Sequence, residues 1–412
     1  LIDPPGAFTV IRAPQLDKPR VVVVLGTRPE AIKVFPIIQQ LRAEPALDTL
    51  VVVTGQHREM VDDLLRPLGI VPDEDLAMTR SGSSLNELVS KMVPLLDGMI
   101  ERLKPQMVVV QGDTTTAFCA AMAAFHRQVQ VAHVEAGLRS NDRFFPFPEE
   151  VNRRMITAVT DLHLAPTEAS ARNLFKEGVP GDAVVVTGNT AVDSILHVLN
   201  GHAGTAPKPQ RDGLGRLHVL VTLHRRESWI DADSEGRTTL DRILGGVRAV
   251  AQRRPDVDFS YPVHPNPSVK ERAERVLSDL PNVKLLPPQP YLDFVHLMAS
   301  ASVILTDSGG IQEEAPSLGI PALVARDVTE RPEGVAAGCN RLVGTKAESI
   351  EKELLLALSV SRATLGGTLP RPNPYGDGLA AVRIKQAILH RLVNAERPAP
   401  FEPEHVLAAA TN

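Results

Sequence analysis

The chain has 412 residues and a formal net charge of −5, from 44 basic and 49 acidic side chains. That length exceeds one ordinary core and suits two domains of about 150–200 residues each, and 43% apolar content lets both halves bury a core. No basic arm points to a nucleic-acid or membrane surface, no apolar run reaches the ~18 residues of a membrane span, and the two cysteines, Cys119 and Cys339, make neither a metal cluster nor a disulfide framework.

Residues 1–19 are Pro-rich and read as a loose extension without a secretory signal. Short β-branched runs then alternate with helical patterns. Strands are predicted at 21–24, 50–53, 107–110, 129–134, 162–165 and 183–186, with helices near 30–43, 84–103, 114–126, 148–159 and 167–176. Continuous apolar strands suit a parallel sheet covered on both faces, so βα repetition implies a doubly wound fold. Cys119, in AFCAAMAAF, reads as a small buried hydrophobe.

Residues 201–216 are rich in Gly, Pro and charge and read as a linker between a first domain, 20–200, and a second, 217–372. The second set of strands is predicted at 217–223, 257–263, 283–286, 302–306, 321–324 and 341–343, with helices near 234–253, 267–277, 290–299, 309–317 and 347–359. A last helical pattern, near 377–392 within a 373–394 segment, is expected to pack back on the first domain, and 395–412 reads as a poorly structured tail. The fold class is therefore α/β, with two Rossmann-like domains and a cleft where their C-terminal strand edges face each other.

Charged and polar residues cluster at those edges. The first strand ends in GTRPEAIK, where Arg28 and Lys33 can meet a phosphate, although a solvated basic pair beside a βα turn has the same pattern. The motif is neither GxGxxG nor GxxxxGK. TGQHREM adds Gln56, His57 and Arg58 at the next edge. In QGDTTT, Asp113 can cap a helix or take part in proton transfer. In HVEAGLRS, Glu135 follows an apolar strand, a better place for a reactive carboxylate than a solvated helix. RFFPFPEEVNRR opens a helix with Glu149 and Glu150, which favour a helix N-terminus. Asp113, Glu135 and Glu149 together suit general acid–base work, because converging carboxylates raise one another's proton affinity.

The second half repeats the arrangement. TLHRRES brings His224, Arg225 and Arg226 to a strand end, and YPVHPNP places His264 in the cleft or as a strand cap. DSGGIQEEAPSLGIP puts Ser308, Gly309 and Gly310 at a helix start, where free backbone N–H groups suit a diphosphate. Glu314, one turn on, can accept ribose hydroxyls, and Arg331 in RDVTERPEG can reinforce anion binding.

The ordered series GTRPEAIK, QGDTTT, HVEAGLRS, PFPEEVNR, APTEASARN, TGNTAVDS, HRRES, YPVHPNP, DSGGIQEEAPSLGIP and RDVTERPEG resembles the non-hydrolysing UDP-N-acetylglucosamine 2-epimerases over roughly 21–390. The resemblance implies two Rossmann-like domains in the glycosyltransferase-B arrangement and interconversion of UDP-GlcNAc and UDP-ManNAc through 2-acetamidoglucal. It implies no metal and no cofactor, a cytoplasmic homodimer, and a role in polysaccharide precursor biosynthesis. It places Asp113, Glu135 and Glu149 in proton transfer, His224 near the leaving group, and Arg28, Lys33, Ser308, Gly309, Gly310, Glu314 and Arg331 at the nucleotide. His264 is added as a UDP-site candidate from its place in the cleft. Glu59 stands where many bacterial relatives with substrate activation carry Gln, and the 80–84 segment diverges, leaving that activation open. A hydrolysing 2-epimerase, a glycosyltransferase of the same architecture and a non-catalytic nucleotide-sugar binder are the alternatives.

Overall fold

A computed structural model describes residues 18–55, 64–78, 84–144, 146–201, 216–225, 227–230, 232, 234, 236–363 and 373–403. The expectations for 1–17, for Gln56 to Glu59, for 80–83, for 202–215, for Arg226 and for 404–412 lie outside these residues.

The first half alternates β1 (Arg20–Leu25), α1 (Arg28–Arg42), β2 (Asp48–Val53), β3 (Glu74–Asp75), α2 (Leu85–Leu103), β4 (Met107–Gln111), α3 (Thr115–His126), β5 (Gln130–Val134), α4 (Glu149–Ala158), β6 (Leu162–Ala165), α5 (Glu168–Lys176), β7 (Val184–Val186) and α6 (Thr190–Gly201). The strands form one parallel sheet in the order β3-β2-β1-β4-β5-β6-β7. RVVVVL makes β1 because stacked β-branched residues favour an extended backbone, and all five residues after Arg20 are buried. Burying each such side chain contributes roughly 1.5–3 kcal/mol. Thr27 starts α1 in a reciprocal capping box with Glu30, and Pro29 occupies the first turn, where no N–H is needed.

The second half contains β8 (Leu217–Thr222), α7 (Glu227–Ile230), α8 (Thr239–Arg253), β9 (Val257–Pro262), α9 (Pro267–Leu277), β10 (Val283–Leu286), α10 (Tyr291–Ala299), β11 (Val303–Thr306), α11 (Gly309–Glu314), β12 (Ala322–Val324), α12 (Pro332–Ala336), β13 (Asn340–Leu342), α13 (Ala347–Ala363) and α14 (Ala380–Val393). Its parallel sheet has the order β10-β9-β8-β11-β12-β13. Strand order reverses direction between β1 and β4 in one sheet and between β8 and β11 in the other. Crevices open at such switch points, beyond the C-terminal strand ends.

One apolar cluster joins the halves, running from Val34, Ile38 and Ile195 of the first to Val295, Ile311 and Ala315 of the second. Ile384 and Ile388 of α14 belong to the same cluster, and the Asp193 carboxylate on α6 accepts from Ala380 and Ala381 N–H at the start of α14. Up to residue 403, the chain beyond α14 departs from the expected loose tail. Phe401 is buried, its N–H donates to the Val186 carbonyl at 2.8 Å, and Arg397 donates to the Val184 carbonyl at 2.7 Å. This Pro-rich stretch has no helical or strand periodicity, so its order comes from the exposed β7 edge that it covers.

Candidate active site

The first lip of the cleft is built from the ends of β1, β4 and β5. Lys33, one turn into α1, donates to Glu135 at 2.5 Å. Gln111, the last residue of β4, also donates to Glu135. Glu135 itself has φ +67. A non-glycine residue in that region carries local strain, which accumulates at functional sites. Burial raises its proton affinity, aided by Glu313 and opposed by Lys33 and Arg331. Lys33 also holds its proton more tightly, with the opposite effect on charge: burial alone would lower its proton affinity, but Glu135 and Glu313 hold it firmly charged.

Asp113 is fixed by α4. Asn152 donates to its main-chain carbonyl at 2.9 Å, and Arg153 holds its carboxylate at 2.7 and 2.8 Å. Glu149 stands three and four residues before these two side chains, so it shares their helix face and is half-buried. Its neighbour Glu150 turns away into the protein, only 1% exposed, accepting from Ser140 and Asn141 N–H and pairing with Arg153 and Arg154. Below Asp113, His133 Nε2 meets the Gly112 carbonyl at 2.7 Å. Burial pushes this imidazole down to about 3, so it stays neutral and donates.

The second lip comes from the ends of β8, β11 and β12. Asp307, fully buried, accepts from His224 and Arg225 N–H and from the Ser228 hydroxyl, and lies 3.6 Å from His224 Nδ1. The His224 side chain remains half exposed. His264 packs against Trp229, with ring centroids 5.1 Å apart, and its Nδ1 accepts from Asn266 N–H. The Asn266 bond leaves Nε2 as the donor in the neutral ring.

Ser308 caps α11, and Gly309 begins it directly under the Arg331 guanidinium. Arg331 reaches Glu313 at 2.6 Å and Glu330 at 2.7 Å. Glu330 also pairs with Arg225 at 3.1 Å and Arg326 at 2.8 Å. Burial opposes its charge, but Arg331, Arg326 and Arg225 hold its carboxyl down at about 2. Burial, then the neighbouring Glu313, pushes Glu314 up to about 8.

The lips meet through a ring of alternating charge. Glu313 lies 3.2 Å from Lys33, and Arg331 lies 4.0 Å from Glu135. Arg28 crosses as well, donating to the Gln289 carbonyl at 2.9 Å, and Thr167 donates to Glu333 at 2.8 Å. Lys33, Glu135, Glu313 and Arg331 are thus one cluster, with Glu314 behind it. Asp113 and the start of α4 form a second cluster on the first lip, and His224 with Asp307 a third on the facing lip. Sequence reasoning did not single out Gln111, Asn152, Arg153, Asp307, Glu313 or Glu330 as site residues. Each acts through a partner distant in the chain, and only their presence inside the quoted motifs hinted at them. No group of three or more His, Cys, Asp or Glu among the described residues could hold a metal ion. No described helix is long and apolar enough to cross a membrane.

The arrangement offers buried carboxylates of differing proton affinity opposite a cationic edge, which suits proton transfer on an anionic ligand. Residues 39–389 match the family model described as UDP-N-acetylglucosamine 2-epimerase. A Ralstonia nicotianae protein named a probable UDP-N-acetylglucosamine 2-epimerase is 47% identical over 378 residues, 90% of this chain and 98% of its own. The Yersinia pestis UDP-N-acetylglucosamine 2-epimerase is 43% identical over 381 residues, 91% of this chain and 99% of its own. The crystal structure of the Neisseria meningitidis UDP-GlcNAc 2-epimerase bound to UDP-GlcNAc superposes with a TM-score of 0.81 at 40% identity, covering 90% of this chain and 99% of that one. The glycosyltransferase-B arrangement of two Rossmann-like domains is common to both folds. With a family model spanning most of its length and close relatives matched nearly end to end, the chain belongs to the UDP-N-acetylglucosamine 2-epimerase family.

Proposed function

We propose that the chain interconverts UDP-GlcNAc and UDP-ManNAc by eliminating UDP across C1–C2 and adding it back after C2 has been reprotonated on the other face. The observation that carries this reading is the interdomain ring, in which Glu135 of one lip stands within reach of Lys33 and Arg331. Direct deprotonation at C2 is difficult in a pyranose because no carbonyl adjoins it. Departure of the anomeric diphosphate lets the C–H electrons form an alkene instead. Return of UDP to C1 with proton delivery to C2 then completes the inversion.

Asp113, Glu135 and Glu149 jointly handle the C2 proton and the glycal. Their proton affinities need to differ for one to accept while another donates, and burial beside Glu313 separates Glu135 in this sense. His224, oriented by Asp307, faces the leaving diphosphate. Arg28, Lys33, Arg331, Ser308, Gly309 and Gly310 bind the diphosphate, His264 lies beside it, and Glu314 receives ribose hydroxyls. A carboxyl that keeps its proton to about 8 can both donate to and accept from a hydroxyl. Residues 20–200 and 217–372 serve as the two closing domains, with 373–394 as the strap between them. On the family likeness we also assign a cytoplasmic location, tested by fractionation of cells, and a homodimer, tested by sedimentation of the purified protein.

Incubation with UDP-GlcNAc alone, followed by product analysis, tests the reaction. UDP-ManNAc approaching an equilibrium ratio supports it. Stoichiometric UDP with free ManNAc supports hydrolysis, and product only after an acceptor is added supports glycosyl transfer.

A further inference from the structure

One member of the interdomain ring has been given no binding or catalytic role of its own. The Glu313 side chain is only 2% exposed and has one oxygen 2.6 Å from Arg331 Nε and the other 3.2 Å from Lys33 Nζ. It therefore grips one cation from its own domain and one from the facing domain. The same two cations close on Glu135 at 2.5 and 4.0 Å. Two positive and two negative charges alternate around the ring. A buried carboxylate is costly unless it is paired; Arg331 serves one Glu313 oxygen within its own domain, and Lys33 meets the other only while both lips are together. We propose that Glu313 is a positioning residue that holds Lys33 and Arg331 at the separation and charge balance that Glu135 needs for proton transfer.

This inference rests on the role of Glu135 in the epimerisation proposed above. Glu313→Gln keeps the shape but removes one negative charge. Lys33 loses its tether to the facing domain, and Glu135 alone then answers two cations. That holds Glu135 more firmly as a carboxylate and weakens the lip-to-lip contact that encloses the uncharged glycal. The cleft meanwhile gains one net positive charge, which favours an anionic diphosphate. A positioning role thus separates two quantities that a general structural role would lower together. Turnover falls, while UDP binding does not.

The test measures kcat, calorimetric UDP affinity and released 2-acetamidoglucal for wild type, Glu313→Gln and Glu313→Asp. For Glu313→Gln, kcat is expected to fall about 10- to 100-fold, as for loss of a charged hydrogen bond. UDP should bind as tightly as to wild type or tighter, and more glycal should escape per turnover. Glu313→Asp keeps the charge with a shorter reach and should lie between the two in kcat. If Glu313→Gln does not fold, Glu313→Asp carries the test alone, with normal UDP binding and reduced kcat expected. Wild-type kcat in either variant, or parallel loss of kcat and UDP affinity, overturns the proposal. Absence of epimerisation by the wild type would instead defeat the functional reading itself.

Discussion

Gly309 offers a test of how tightly the second lip is built. A Cβ at this position would sit 2.6 Å from Arg331 Cζ and Nη1, whereas ordinary contact starts at 3.4 Å. The guanidinium must therefore move away before the Cβ can be accommodated. It cannot do so freely, because Glu313 holds it at 2.6 Å and Glu330 at 2.7 Å. Hydrogen bonds between charged groups contribute about 1.5–3 kcal/mol each, and Ala recovers at most about 1 kcal/mol of helix preference over Gly. Gly309→Ala should thus destabilise by about 1–2 kcal/mol, lower Tm by a few degrees, and reduce kcat/KM for UDP-GlcNAc about tenfold. Gly310 is the internal comparison. Its added Cβ would meet nothing closer than Ser308 Oγ at 3.8 Å, so Gly310→Ala should leave Tm unchanged or slightly raised. Differential scanning calorimetry on the pair decides the matter. Equal Tm values for both variants would refute the reasoning.

Two further outcomes follow from the buried charges. Burial holds His133 down at about 3 and His163 at about 4, against 6.5 for a free imidazole. The unfolded chain therefore binds more protons than the native one between those values, and stability falls as pH drops below about 6.5, by a few kcal/mol in total by about pH 4. Urea midpoints should be nearly level from pH 7.5 to about 6.5 and decline from there to 4.5, and a flat profile throughout would contradict the neutral-histidine assignment. Glu330→Gln leaves Arg225, Arg326 and Arg331 without their shared anion and should cost about 3 kcal/mol, as for breaking a buried pair. Since Glu330 is held at about 2 in the folded protein, below its usual 4.5, its stabilisation is present above 4.5 and fades as pH falls toward 2. The denaturant-measured gap between wild type and variant should therefore narrow on acidification, and a constant gap would count against the ion cluster.

The strands that build both switch points were legible because runs such as RVVVVL and VILT carry continuous apolar signal. The edge strand β3 was not, since Glu74–Asp75 is short and acidic and pairs only because β2 leaves an edge open. Helix α6, Thr190–Gly201, was also passed over, although it carries much of the contact between the halves. Within the site, motif position identified which strand ends matter but not how side chains divide between core and cleft. Glu149 and Glu150 read alike in sequence. A helix turns them about 100° apart, and the structure buries Glu150 against Ser140, Asn141 and Arg153 while Glu149 stays half-buried. Asp113 and Arg153 are 40 positions apart, and Lys33 and Glu313 lie on helices packed beside different sheets, so neither pairing leaves a local trace.

Running the reaction in D2O probes the elimination most directly. Proton removal and return at C2 require deuterium at that carbon in newly formed UDP-ManNAc, and in recovered UDP-GlcNAc as equilibrium is reached. Epimerised product that retains its original C2 hydrogen would contradict the elimination route.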